Sequence, residues 1–237
     1  TQYMRSNPEK TPKHSNLSVD CVVFGYANER LNVLLIKRKG NINFSDEQFA
    51  LPGDLLAKNE SLDEAANQIL YRLTKFKGIF LKQFHAFGDP NRVSTPQDQE
   101  WLRASKKKPK ARVITIAYYA LVKADDYTPE SSSISEETQW IPIDKIPALT
   151  FDHNLIVDKA YTHLKENLID KQIGFELLPE KFTLSELQSF YETLLDVKYD
   201  KRNFRKNLKS QTYLKKLDEK VQGQAHRPAN LYVYVKD

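Results

Sequence analysis

The sequence is poor in cysteine. Cys21 is the only cysteine among 237 residues, and it lies in an apolar segment with the composition of a strand. One thiol cannot form a disulfide within the chain, which excludes a disulfide-stabilised scaffold and favours a reducing compartment. Cys21 is therefore expected to pack as a small hydrophobic side chain.

Long apolar runs are also absent. No segment approaches the ~20 residues that a membrane-spanning helix needs. The first fifteen residues are polar and lack the apolar core of a signal peptide, so residues 1–16 are predicted to be a flexible tail. From these absences we expect a cytoplasmic protein with no membrane partner.

Several familiar functional motifs are missing as well. The sequence has no His/Cys spacing of a zinc site, no P-loop and no nucleophile elbow. The remaining composition, 40% hydrophobic and 28% charged, is that of a soluble protein with one large domain or two smaller ones. The net charge of +5 is compatible with nucleic-acid binding but does not identify it alone.

Strands and helices alternate through the first two thirds of the chain. Runs rich in β-forming residues predict strands at 17–26, 31–38, 79–87, 112–123 and 139–143. Helices are predicted at 61–75, with Ser61 and Glu64 forming a capping box, and at 152–168, opened by Asp152. This order favours a mixed α/β sandwich. The character changes at Gly174, so residues 17–173 and 174–237 are predicted to be separate domains.

The C-terminal part contains two well-defined helices. Thr183 and Glu186 predict a capping box for a helix over 183–195, and Asp200 predicts the cap of a second helix over 201–209. At ~100° per residue, the second helix has a cationic face opposite an apolar face. The cationic face comprises Arg202, Arg205, Lys206 and Lys209.

Four cations on one helical face repel one another unless a polyanion binds them, and duplex DNA carries one charge per ~1.7 Å. A polar turn at Asp218–Gln224 and an alternating strand at 231–235 follow, which completes a winged helix-turn-helix pattern. The alternative is a small helical subdomain with a solvated basic face. The predicted contacts to double-stranded DNA are Thr183, Lys201, Arg202, Asn203, Arg205, Lys206, Lys209, His226 and Arg227.

Residues 51–76 resemble the Nudix hydrolase pattern, G-x5-E-x7-R-E-U-x-E-E-x-G-U, where U is apolar and the glutamates bind Mg²⁺. With Glu60 on the first glutamate, Asp54 and Lys75 take the places of the first and last glycines. The metal-binding positions then hold Ile69, Arg72 and Leu73. Mg²⁺ requires several oxygen ligands, so we predict no metal site, no catalytic residue and binding without hydrolysis.

The whole chain from about Leu17 resembles the Nudix-related transcriptional regulators of the NrtR family. The most specific segments are 151–153, 177–188, 191–192, 200–206 and 226–232. The resemblance implies a Nudix-like α/β/α sandwich followed by a C-terminal winged helix-turn-helix. It also implies a homodimeric repressor that binds a palindromic operator and senses a small molecule, without a cofactor. In one branch the effector is ADP-ribose and the targets are NAD-synthesis genes; related branches bind sugars such as arabinose and control their use.

An ADP-ribose site needs cations for the diphosphate, an aromatic ring for the adenine and polar groups for the riboses. The candidates are Arg38, Asp54, Lys58, Phe87, Arg112 and His153. Ordinary structural roles compete: Phe87 as a core residue, and His153 as a hydrogen-bond partner at a helix start. The segment 103–112, with six basic residues and no acid, is either a solvated loop or a phosphate-binding arm.

Two other functions remain open from the sequence. The first is a divergent Nudix pyrophosphohydrolase that takes its metal ligands from Glu60, Asp63 and Glu64. The second is a protein-interaction module that uses the basic helix. Steep salt dependence of duplex binding separates DNA binding from the second alternative.

Overall fold

The computed structural model describes residues 13–38, 48–96, 98–99, 112–129, 137–170, 174–208, 211–221 and 228–235. The chain forms two compact units. The first comprises residues 1–25 and 32–163, and the second comprises residues 26–31 and 164–237. The second unit thus includes the predicted C-terminal domain, the tip of the first hairpin and the end of a preceding helix.

A seven-stranded sheet contains the strands β1 (Lys13–Ala27), β2 (Arg30–Arg38), β3 (Gln48–Ala50), β4 (Gly53–Ala57), β5 (Lys82–Phe87), β6 (Ile114–Lys123) and β7 (Glu137–Pro142). The order is β3-β2-β1-β6-β5, with β4 paired to β1 and β7 paired to β2. The five strand runs expected from the sequence are confirmed. The short strands β3 and β4 were not predicted. Because β1 begins at Lys13, residues 13–16 belong to a strand rather than to the predicted tail.

Helix α1 (Leu62–Thr74) covers one face of the sheet. Ser61 and Glu64 form the expected capping box, in which the Ser61 side chain accepts from the Glu64 N–H and the Glu64 side chain accepts from the Ser61 N–H. The apolar side of the helix, Ala65, Ile69, Leu70 and Leu73, is buried in a shared core with residues of β1, including Cys21. The predictions of the helix, its cap and the packing of Cys21 are therefore confirmed.

Helix α2 (His153–Asp170) lies on the opposite face of the sheet. The ring centroids of Tyr161 and Phe24 are 6.2 Å apart. Phe24 follows the core residue Val23 on β1, so these two side chains point to opposite faces of the sheet. The α/β/α sandwich is thus confirmed. Asp152 directly precedes the helix, as predicted, and its backbone carbonyl accepts from the Ile156 N–H over 3.1 Å. Its carboxylate accepts two hydrogen bonds from Arg92.

The second unit contains α3 (Leu184–Leu195), α4 (Lys201–Leu208), β8 (Leu214–Lys220) and β9 (Asn230–Tyr234). Thr183 and Glu186 form the expected capping box, and Asp200 accepts from the Asn203 N–H at the start of α4. Strands β8 and β9 pair antiparallel as a wing. The winged helix-turn-helix is confirmed, although β8 extends through residues 218–220, which were expected in the turn.

Within the part of the chain that the structure describes, no helix is both long and apolar enough to cross a membrane.

Candidate nucleic-acid interface and effector site

A groove of about 930 Å³ runs between α4, the start of α3 and the wing. Helix α4 contributes four cations to it, Lys201, Arg202, Arg205 and Lys206. All four side chains are exposed. We define these residues and their groove as the cationic groove. Its charge and its helix-and-wing walls suit the phosphate backbone of a duplex.

The start of α3 supplies the second wall of the cationic groove. Thr183, Leu184 and Ser185 line it, and Nη2 of Arg205 donates to Oγ of Ser185 over 3.2 Å. The Thr183 hydroxyl accepts from the Glu186 N–H over 3.1 Å and caps α3. Its O–H group can still donate, so a contact of Thr183 with a phosphate oxygen stays a prediction.

The wing supplies the third wall. Lys220, Asn230 and Tyr232 line the cationic groove from this side. Backbone hydrogen bonds in both directions between Phe182 and Tyr232, of 3.0 and 2.8 Å, hold the wing against the start of α3. Lys220, Asn230 and Ser185 were not predicted to contact DNA. The sequence showed Lys220 only as one of the many Lys and Arg residues after residue 200, with nothing to link it to the helix α4.

The connection between α3 and α4 is held by a small polar network. Gln188 Nε2 donates to Oε1 of Glu192 and to the carbonyl of Tyr199, and the Tyr199 N–H donates to the same carboxylate oxygen. Hydrogen bonds from Gln188 and the Tyr199 backbone, with help from Lys198, lower the pKa of Glu192 to about 2. The carboxylate therefore stays charged at neutral pH and keeps the approach to α4 ordered.

The other predicted DNA residues have different positions. Asn203 lines a separate cavity of about 640 Å³ together with Tyr199 and Phe204. Lys209, His226 and Arg227 lie outside the described residues. The structure thus brings Thr183 and four cations together in one groove, and Asn203 lines a different cavity. That Asn203 contacts a base edge stays a prediction.

In the first unit, the carboxylates around the Nudix-like helix are bound to donors of the protein itself. Glu60 accepts from the Ala57 N–H over 2.5 Å, and Asp63 accepts from the Tyr118 hydroxyl over 2.6 Å. Glu64 is held by the Ser61 cap. The same contact with Asp63, after desolvation, contributes to the raised pKa of Tyr118.

Asp54 and Arg72, which stand at two further positions of the Nudix pattern, form an ion pair. Nη2 of Arg72 lies 2.5 Å from Oδ2 of Asp54. No cluster of three or more His, Cys, Asp or Glu side chains suited to a metal occurs among the described residues. The site therefore does not fit the Mg²⁺ of the Nudix pattern, because a guanidinium stands where a carboxylate ligand is needed. The backbone frame persists: Lys75, at the last glycine position, keeps a left-handed φ of 65°.

His153 lies in a buried polar network rather than on a surface. Its Nδ1 accepts from the Leu51 N–H over 3.0 Å, so a neutral ring carries its proton on Nε2, which faces Asp20 at 3.7 Å. Burial lowers the pKa of His153 despite the opposing effect of Asp20. The ring therefore joins the start of α2 to the β3–β4 connection, and this geometry does not support its predicted role as a ligand.

Arg92 is the central cation of this network and was not predicted. It donates to both carboxylate oxygens of Asp152, over 2.9 and 2.6 Å, and lies 3.8 Å from Asp20. Burial opposes its charge, yet the pKa of Arg92 is raised by its hydrogen bond with Asp152 and by the surrounding carboxylates. Asp98 accepts from the Phe151 N–H nearby over 2.8 Å.

The other effector candidates occupy varied positions. Phe87 is buried and packs against Phe84 and His85, which gives it a core role. Arg112 is exposed and donates to the Gly88 carbonyl over 2.7 Å. Lys58 is exposed in the turn before α1. The side chain of Arg38 and residues 103–111 of the basic segment lie outside the described residues.

Comparisons with known proteins agree with this geometry. Residues 174–234 match the family model of the NrtR DNA-binding winged helix domain. A relative from Acinetobacter baylyi, described as the ADPR responsive transcriptional repressor NtrR, is 27% identical over 222 residues. The match covers 91% of this chain and 80% of that protein.

Solved structures are similar across both units. The structure of NrtR from Shewanella oneidensis complexed with a 27mer DNA has a TM-score of 0.64 and 26% identity, covering 92% of this chain and 93% of that chain. A MutT/nudix family protein from Enterococcus faecalis has a TM-score of 0.67 and 21% identity, covering 99% and 90%, and shows the fold alone. The similarity predicted from the sequence is confirmed: the chain resembles the NrtR regulators over most of its length, and residues 174–234 match the NrtR DNA-binding winged helix domain.

Proposed function

We propose that this protein is a transcriptional repressor that binds a palindromic DNA operator as a homodimer and responds to ADP-ribose. The observation that carries the proposal is the cationic groove, which is lined by four cations of α4 and by polar residues of the start of α3 and the wing. The described relatives support it, one by its name as an ADPR responsive repressor and one by its complex with DNA. Such a repressor acts where the DNA is, so we expect a cytoplasmic location and, by the resemblance, NAD-metabolism genes as targets.

We further propose that the Nudix-like unit binds its effector without hydrolysing it. Hydrolysis of a diphosphate in this fold would need a bound cation to neutralise the phosphates and activate water. The carboxylates available for such a cation already accept hydrogen bonds from the protein, and Arg72 stands at a ligand position. No contact among the described residues favours the alternative of a divergent pyrophosphohydrolase.

A thermal-shift screen tests the effector directly. Full-length protein is heated with ADP-ribose, NAD or arabinose, with ribose and AMP as fragments of the first compound. A ligand at 100 times its Kd adds ~2.7 kcal/mol of stability, which is readily observed. We expect stabilisation by ADP-ribose; stabilisation by arabinose alone would contradict the proposal and favour a regulator of sugar use.

A further inference from the structure

Arg72 has more hydrogen-bonding capacity than its surroundings use. A guanidinium carries five N–H donors. The described residues give Arg72 one hydrogen-bond partner, the Asp54 carboxylate. Its Nε atom is buried and has no acceptor in the described part of the chain. Because an unmade hydrogen bond on a buried donor is costly, an incoming anionic oxygen at this position would be favoured.

The position of this cation is defined by its neighbours. Asp54 lies on β4, and its Oδ1 accepts from the Leu55 N–H over 2.7 Å, so the carboxylate is held on the strand. It in turn holds one side of the Arg72 guanidinium, whose side chain is 22% exposed and therefore accessible to a ligand. A planar guanidinium group that a carboxylate holds on one side presents its remaining N–H donors in a fixed direction.

Nearby acids do not compete for these donors. The Glu60 carboxylate accepts from the Ala57 N–H, Asp63 accepts from Tyr118, and Glu64 accepts from Ser61. On the same turn, Lys58 is exposed and adds positive charge. The Nudix-like loop and helix therefore carry a cation of the protein itself at a position where the family pattern has a ligand for Mg²⁺.

We infer that Arg72 binds a diphosphate group directly, taking the place of the divalent cation, with Asp54 as the residue that positions it. This inference rests on the proposed effector, because it assigns the part of the site that takes the diphosphate of ADP-ribose. It makes effector binding independent of divalent metal. It also explains how a chain that lacks the carboxylate ligands of the Nudix pattern, and has Arg72 at one of their positions, can still bind a diphosphate compound.

The test measures binding to the full chain by calorimetry, first with EDTA and then with Mg²⁺. The probes are ADP-ribose, inorganic pyrophosphate and adenosine, which lacks phosphate. The variants are Arg72→Gln and Asp54→Asn/Arg72→Gln; the double variant removes both charges of the ion pair. Lys77→Gln, on an exposed cation that lies over the Tyr71 ring, is the matched control.

For the wild-type protein and Lys77→Gln, we expect the same ADP-ribose affinity in EDTA and in Mg²⁺. Both Arg72 variants should lose at least ~10-fold affinity for ADP-ribose and pyrophosphate, the size of one charge-assisted hydrogen bond, with adenosine binding unchanged. Wild-type affinity in the double variant, or a requirement for Mg²⁺, would overturn the assignment of Arg72. If the wild-type protein bound pyrophosphate through Arg72 but not ADP-ribose, the proposed effector would fail and the diphosphate site would stand.

Discussion

Arg205 and Ser185 are joined by a hydrogen bond of 3.2 Å between Nη2 and Oγ, which connects helix α4 to the first turn of α3. The acceptor is a neutral hydroxyl, so the contact orients the guanidinium without neutralising it. Both residues line the cationic groove. Arg205 is thus a cation of this groove that a hydrogen bond orients, and its replacement is an informative test of DNA binding.

Replacing Arg205 by Ala should weaken operator binding, or relax the preference at one operator position, by roughly 1–3 kcal/mol. Replacing both Arg202 and Arg205 by Glu should abolish duplex binding, because four units of charge change in one groove. Electrophoretic mobility shift measures both effects. The control is Lys75→Glu/Lys77→Glu, which makes the same charge change in the first unit. Unchanged binding by the Arg202/Arg205 double variant would remove α4 from the role of recognition helix.

The protein should be a homodimer in solution. One winged helix covers one half-site, and specific regulators usually pair so that operator symmetry matches protein symmetry. Half-sites should be separated by ~10 base pairs or a multiple of that spacing. Light scattering at micromolar protein, with and without operator, determines the mass. A monomer under both conditions would contradict this prediction.

The Nudix-like unit should not cleave ADP-ribose. Arg72 occupies a ligand position, and the Glu60 and Asp63 carboxylates already accept hydrogen bonds from the protein, so a cation has too few oxygen ligands. Release of AMP is followed by chromatography with Mg²⁺ or Mn²⁺ present, using an active Nudix hydrolase as the positive control. Turnover at ordinary enzyme rates would show that the metal site is rebuilt from other residues.

His153 should make the stability of the protein depend on pH. Burial lowers its pKa below the ordinary value of 6.5, so the unfolded chain binds this proton more readily than the folded protein. The contribution is complete above pH 6.5 and is lost as pH falls toward the lowered pKa. The charged groups that face His153, namely Asp20, Arg92, Asp98 and Asp152, are the same in the wild-type protein and in the variant used below.

The measurement compares thermal unfolding of the wild-type protein and His153→Asn as the pH is lowered from 7.5 to about 5, across the ordinary histidine pKa. The asparagine amide oxygen replaces Nδ1 as the acceptor for the Leu51 N–H. We expect the wild-type melting temperature to fall more steeply than that of the variant below the ordinary histidine pKa. Parallel curves would mean that His153 does not titrate differently in the folded and unfolded states.

Local features of the fold could be predicted because their determinants lie a few residues apart. The capping boxes at Ser61–Glu64 and Thr183–Glu186 are formed by side chains and backbone within one turn, and both are confirmed. The short strand β4 escaped prediction because Pro52 and Gly53 at its start are turn residues in sequence. A β-carbon at Gly53 would overlap the Asp20 carboxylate, a constraint visible only in the folded sheet.

The candidate sites were predicted unevenly for the same reason. The cationic face of α4 follows from helical periodicity, and three of its predicted members, Arg202, Arg205 and Lys206, line one groove. The fourth, Lys209, lies outside the described residues. The Arg92–Asp152 pair joins residues 60 positions apart, and the Arg72–Asp54 pair joins residues 18 apart. Charge patterns do not specify which distant partners meet; the tertiary structure does. Of the effector residues predicted from the sequence, Phe87 and His153 are therefore better explained as core and network residues.

The most direct test of the account is operator affinity measured with and without ADP-ribose. Fluorescence anisotropy of a labelled operator duplex is followed with wild-type protein, with adenosine as the control ligand. We expect saturating ADP-ribose to change operator affinity by a coupling of ~1–3 kcal/mol, or roughly 5–150-fold. Tight binding of ADP-ribose with no change in operator affinity would contradict the central claim that this protein is an ADP-ribose-responsive repressor.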